Sequence, residues 1–172
     1  MAVTRVATPA DAAVIGEILA EAFGGYRSWA PPEWAPPVPT ATDVDRLAGT
    51  LERSDVWCLV ALDGVDVIGH VALSPFTVED PEPAPEGTIN LWQLFVRPAF
   101  QGHGVATQLM DAAVREARRR GFIRLRLWTP LGAARARRFY ERDGWTLTGA
   151  VHERSPFGLP VVEYERRTSA PE

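Results

Sequence analysis

Lysine is missing from this chain: all 18 of its Lys+Arg positions are arginine. That excludes phosphate-binding loops of the GKS/GKT type and any lysine Schiff-base chemistry. A single cysteine, Cys58, excludes an internal disulfide and a thiolate-rich zinc site, and it suits the reducing cytoplasm, which is the expected location. The three histidines, His70, His103 and His152, lie far apart without metal-ligand spacing, so no metal site is expected. No run of about 18 apolar residues occurs, which excludes a membrane-spanning helix. The opening "MAVTRVATPADAAV" has no signal-peptide core either. A net charge of -4 argues against nucleic acid as the main partner. What is present, 172 residues with 46% hydrophobic content, fits one domain spanning 1–172 with a substantial core.

The chain opens with a short strand, "TRVAT", and a helix, "TPADAAVIGEILAEAF". Thr8 is its expected N-cap, Pro9 its first residue and Asp11 its capping acid, with Ala13, Ile15 or Ile18, Leu19 and Phe23 as the buried stripe. A proline-rich loop follows, "GGYRSWAPPEWAPPVPT", carrying Tyr26, Trp29 and Trp34. Its prolines forbid a continuous helix or a central strand, and its large rings need cover from the core or from a ligand. A second helix, "TATDVDRLAGTLERS", precedes a hairpin, "VWCLVAL" and "VDVIGHVALS", turning at Asp63-Gly64. After an acidic, proline-rich surface loop come the strand "INLWQLFV" and the helix "GVATQLMDAAVREARRRG", which Gly121 stops. The strand "FIRLRLWT", a short helix ending at Gly144 and the strands "WTLTGAV" and "VVEYERR" complete the order. The fold class is α/β, with helices flanking a mixed central sheet.

Between the apolar strand and its helix lies "RPAFQGHGVATQLM". A strand, a tight glycine turn and a helix N-terminus together aim several unpaired backbone N–H groups in one direction. Such an end carries partial positive charge and suits phosphate or pyrophosphate. Gly102 and Gly104 let an anion reach the main chain without meeting a Cβ. Thr107 stands where the third glycine of a dinucleotide-binding GxGxxG would fall, so that pattern is not met.

From Leu91 to Met110 the chain resembles the acetyl-CoA-binding signature of the GNAT family, the Gcn5-related N-acetyltransferases. The pyrophosphate motif Q/R-x-x-G-x-G/A is met by Gln101, Gly104 and Ala106. Downstream, "ARARRFYERDGW" resembles the family's "xxAxxFYxxxGF", with Ala136, Phe139, Tyr140 and Gly144 in register. One departure is Ala133, where the family often has asparagine, which removes a polar contact near the cofactor arm. The resemblance implies a mostly antiparallel sheet and acetyl-CoA as cosubstrate. It implies that the main chain of Gln101, Gly102, His103, Gly104, Val105, Ala106 and Thr107 holds the pyrophosphate. It further implies that Val96 pairs with the pantetheine arm and that the N–H of Leu94 faces the thioester carbonyl. Tyr140, a phenol protonated at neutral pH, would protonate the departing thiolate; without the motif it reads as a core aromatic.

The general base stays open. Asn90 stands where some relatives carry glutamate, and an amide cannot take up a proton. His70, His152 and Glu153 are alternatives, each with a plain structural or solvated reading, and water is another. For the acceptor, the resemblance points to "GGYRSWAPPEW" and "HERSPFGLP". Tyr26, Trp29, Trp34 and Phe157 imply a partly apolar cavity, and Arg154 could meet a carboxylate or phosphate. A small amine is expected, with a peptide N-terminus as the alternative and a homodimer as a family expectation. Two other readings are a non-catalytic acyl-CoA sensor or interaction module, and a site for a different phosphate ligand such as a nucleotide.

Overall fold

The computed structural model describes residues 1–77, 84–153 and 155–168. In chain order the elements are β1 (Val3–Val6), α1 (Ala12–Gly25), α2 (Ala41–Leu51), β2 (Trp57–Asp63), β3 (Asp66–Ser74), β4 (Thr88–Val96), α3 (Val105–Arg119), β5 (Arg124–Pro130), α4 (Ala134–Arg142), β6 (Thr146–His152) and β7 (Val161–Arg167). The strands form one seven-stranded sheet in the order β1-β2-β3-β4-β5-β7-β6. Every neighbouring pair is antiparallel except β4 and β5, which run parallel.

The two sheet faces are covered by different helices, which explains why β2 and β3 are apolar on both sides. One core packs Val71, Leu73, Ile89 and Leu125 against Leu109, Met110, Ala113 and Ala117 of α3. The other packs Val60, Ala72 and Val67 against Ile15 and Ile18 of α1, with Leu47 and Leu51 of α2 at its margin. Helix starts follow the capping chemistry. The Asp11 carboxylate accepts from the Thr8 N–H at 2.7 Å, and Arg5 clamps it through both nitrogens at 2.8 and 2.7 Å. At α2 the Thr40 hydroxyl accepts from the Asp43 N–H while the Asp43 carboxylate accepts from the Thr40 N–H.

Two local expectations are corrected. Pro9–Asp11 form a single 3-10 turn before α1, which rotates the helix phase. Ala12 therefore enters the core and Ala13 is exposed. In the hairpin Asp63 pairs with Asp66, so the two loop residues are Gly64 and Val65 rather than Asp63 and Gly64. Gly64, at φ +60, takes the first central position. The expected acidic loop falls largely on residues 78–83, outside the described residues.

The feature that positions the site is a fork. β4 and β5 pair only at Thr88–Arg124, Ile89–Leu125 and Asn90–Arg126, and then separate. On its other side β4 carries a bulge: Leu73 opposes Leu91 and Ala72 opposes Gln93, leaving Trp92 as the extra residue. A bulge bends its strand, and this one lies just where the fork opens. Asn90 fastens the crotch. Its Oδ1 accepts from Arg126 Nε at 2.8 Å, and its Nδ2 donates to the Pro75 carbonyl at 3.1 Å.

Candidate functional site

The fork opens into a cavity of about 1130 Å³ bounded by β4, β5, α1, α4, the turn before α3 and the β6–β7 loop. Leu94, Val96, Gln101, Gly102, Gly104, Ala106, Thr107, Tyr140, Tyr26, Trp29 and Phe157 all line it. The structure thus brings most of the sequence-derived candidates to one place. Three stand apart. The Val105 side chain points into the core, leaving only its main chain for a ligand. His103 is exposed, with Nδ1 against the Gln101 carbonyl at 3.1 Å. Trp34 lies outside this cavity, in a smaller outer depression. Arg154 lies outside the described residues.

At one end, Gly102 and Gly104 both have φ +82. Among the described residues, apart from each glycine's own chain neighbours, no atom lies within 4 Å of where a Cβ would stand at either, so the strain of the left-handed backbone, not crowding, requires glycine there. The first helical turn of α3 is closed by the Gln108 N–H to the Gly104 carbonyl at 3.0 Å. Helix geometry leaves the N–H groups of residues 105–107 without intrahelical partners. Gln101 braces this turn: its Nε2 donates to the Val96 carbonyl at 3.1 Å, and its Oε1 accepts from Arg135 Nη1 at 2.8 Å. Open main-chain donors, a helix dipole and an adjacent guanidinium fit a pyrophosphate. The inner edge of β4 beyond Asn90, which has no pairing strand among the described residues, fits an amide-bearing arm. The residues present therefore fit acetyl-CoA. Arg135 escapes the sequence reading, because its bond to Gln101 arises only on folding.

Tyr140, buried on α4, lines the cavity. α4 is held by Tyr164 on β7, whose hydroxyl accepts from Arg137 Nε at 3.0 Å and donates to Glu141 at 2.7 Å. Arg137 and Glu141 are one helical turn apart, so their shared grip fixes the face that carries Tyr140. The Tyr140 ring packs edge-on against Phe139 and Trp145. Burial first, and the nearby Tyr26 hydroxyl second, push its phenol above its usual range, so it stays protonated at neutral pH.

The base candidates separate clearly. Asn90 is spent on the fork. His70 is fully buried, its Nε2 against Gln93 Oε1 at 2.9 Å and its Nδ1 without a partner among the described residues. Burial, partly offset by Gln93, pushes it down to about 4. His152 packs on Trp128 with ring centroids 4.3 Å apart, and Glu153 is exposed and does not line the cavity. Cys58 is buried, and desolvation pushes its thiol up to about 12, so it is no nucleophile.

His70 carries a stability consequence. As pH falls from about 6.5 to about 4, the unfolded chain takes up a proton that the folded chain refuses. Stability present above pH 6.5 is therefore lost across that window, by an amount on the order of 3 kcal/mol. Urea unfolding at both ends of the window should show this loss, and His70→Gln should flatten it. An equal loss in the variant would contradict the assignment.

Rings that the sequence reading only partly collected also line the cavity. Phe23, assigned there to the core stripe, instead meets Tyr26 at 5.5 Å and Phe157 at 5.8 Å. Trp92, Phe95 and Trp128 also line the cavity.

Comparisons with known proteins agree with this geometry. The family model described as the acetyltransferase (GNAT) family matches residues 23–145. No curated protein matches the sequence significantly. Among solved structures, the ribosomal-protein-alanine N-acetyltransferase from Brucella melitensis is 20% identical with a TM-score of 0.76, covering 96% of this chain and 99% of that one. YncA from Salmonella typhimurium, solved with its cofactor acetyl-CoA, is 21% identical with a TM-score of 0.74, covering 100% and 98%. The PaiA N-acetyltransferase from Thermoplasma acidophilum, in complex with coenzyme A, is 15% identical with a TM-score of 0.67, covering 95% and 98%. At these identities the likeness establishes the fold. Among the described residues no helix is long and apolar enough to cross a membrane.

Proposed function

The chain belongs to the GNAT acetyltransferase family, and from that premise we propose that it moves an acetyl group directly from acetyl-CoA to the nitrogen of a small amine, with Tyr140 protonating the departing sulfur. The observation that carries this reading is that Tyr140, a buried phenol, lines the same cavity as the open main-chain turn and the ring cluster.

Acetyl-CoA, when bound, supplies an activated thioester carbonyl. The Leu94 N–H is assigned to the carbonyl oxygen, where negative charge develops as the amine attacks. A nitrogen–carbon bond forms, the carbon–sulfur bond breaks, and the proton released by nitrogen ends on sulfur. Because burial disfavours the Tyr140 phenolate, its proton must be replaced as it is given up. The amine, made acidic by attack, supplies that replacement, so the phenol relays a proton and remains neutral. The proton that an ammonium must lose before attack goes to water, since Asn90 and His70 are committed elsewhere. Transfer is direct rather than through an acyl-enzyme on cysteine, because Cys58 is sealed in the core.

Incubation with acetyl-CoA and an amine panel, followed by mass spectrometry and thiol titration, tests this. Equal amounts of N-acetylated product and free CoA thiol are expected. An acetylated protein intermediate would contradict direct transfer. Acetyl-CoA binding without turnover would favour the sensor reading, which Ala133, buried and apolar where the family often has asparagine, also fits.

A further inference from the structure

We propose that the acceptor is a small amine carried on an aromatic or other flat apolar group, held in a chamber of rings that the α1–α2 segment and the β6–β7 loop build together. This rests on the acetyltransferase reading of the cleft and deepens it.

The chamber is continuous. Phe23 lies 5.5 Å from Tyr26 and 5.8 Å from Phe157, and Tyr26 lies 4.8 Å from Trp29. These four rings come from α1, the turn after it and the β6–β7 loop, and all four line the cavity. None is buried as a core ring is; each remains half-buried, whereas Tyr164 is wholly enclosed. Half-buried rings lining a concave site match what an apolar ligand needs. The volume of about 1130 Å³ exceeds the upper end of a usual single-ligand pocket, about 1,000 Å³, leaving room for the cosubstrate arm and a second molecule.

The chamber is also roofed, which argues for a small acceptor. Trp34 Nε1–H donates to the Phe157 carbonyl at 2.8 Å, tying the α1–α2 segment to the β6–β7 loop. Trp29 closes another side by lying on Gly132, between β5 and α4. A Cβ built at Gly132 would stand 2.5 Å from Trp29 Cε3, so this contact exists only because the position is glycine. A peptide chain would need an open groove between these two segments, and they are instead bridged.

Charge separates the remaining class. Among the described residues the carboxylate lining the cavity is that of Asp43, on α2, already engaged with Thr40 and Arg46. A polycationic amine therefore finds few anionic partners there. Aromatic faces attract a single ammonium group, while their low polarity favours its neutral, attacking form.

Phenethylamine, putrescine and a short alanine-initiated peptide discriminate the classes. Each is titrated calorimetrically into CoA-saturated protein, and each is separately assayed for acetylation. Phenethylamine is expected to bind at least about 10-fold more tightly than the other two. Trp29→Ala and, independently, Tyr26→Leu are expected to weaken phenethylamine at least about 5-fold more than they weaken putrescine. Tight binding with acetylation supports both this proposal and the transfer reading. Tight binding without acetylation supports the chamber and overturns transfer to such amines. Equal or tighter binding of putrescine or the peptide, or no binding of phenethylamine, overturns the proposal whatever the acetylation assay shows.

Discussion

Replacing Tyr140 by phenylalanine is expected to lower kcat by about 100-fold or more while leaving the Kd for acetyl-CoA within about twofold. The substitution removes one hydroxyl and keeps the ring that packs against Phe139, Trp145 and Tyr164. α4 is gripped through Arg137 and Glu141 by Tyr164, so the helix keeps its place. The loss should therefore fall on turnover alone. The phenol is held above its usual range and stays protonated across the physiological range. The wild-type rate should accordingly rise with pH as the acceptor amine deprotonates, with no falling limb from Tyr140 below its ordinary range. An unchanged kcat in Tyr140→Phe would remove the residue from the mechanism.

Gly104→Ala is expected to raise the Kd for acetyl-CoA by about 10-fold or more, as alanine pays about 1–2 kcal/mol in the left-handed region and the turn relaxes away from it. Gly104 has φ +82 and sits next to the α3 amides, so relaxation redirects the donors assigned to the pyrophosphate. Gly121, at φ +86 just beyond the other end of α3, supplies the control. Gly121→Ala carries the same backbone strain far from the turn. It should cost a similar stability in urea unfolding and leave acetyl-CoA affinity unchanged. Equal effects of the two variants on affinity would mean that the turn contributes no donors.

Much of this was legible in the sequence because the signals are local. Thr8 and Asp11 mark the start before α1 through the Asp11 carboxylate on the Thr8 N–H, and Gly121 and Gly144 mark stops through their backbone angles. The turn from Gln101 to Ala106 is likewise a short-range pattern, and Gln101, Gly102, Gly104 and Ala106 line the cavity. Pairing between distant strands leaves no such mark. Nothing in the alternation of β4 reveals that it leaves β5 after Asn90, or that Trp92 forms a bulge against β3. The phase of α1 slipped for a related reason: one 3-10 turn after Thr8 exchanges Ala13 for Ala12, too fine a shift for periodicity to register. The rings were legible as rings, but not as neighbours. Phe23 reads as core from its spacing, and only the return of the β6–β7 loop turns it toward Phe157. Trp34, read as a wall, proves to be a clamp on that loop.

Calorimetric titration of the protein with acetyl-CoA, beside ADP and NAD, tests the central claim most directly: that the fork between β4 and β5 and the turn before α3 form the acetyl-CoA site. One-to-one binding of acetyl-CoA is expected, with ADP much weaker because it lacks the arm that the β4 edge accommodates, and with NAD silent. No binding of acetyl-CoA, or ADP binding as tightly, would contradict the account.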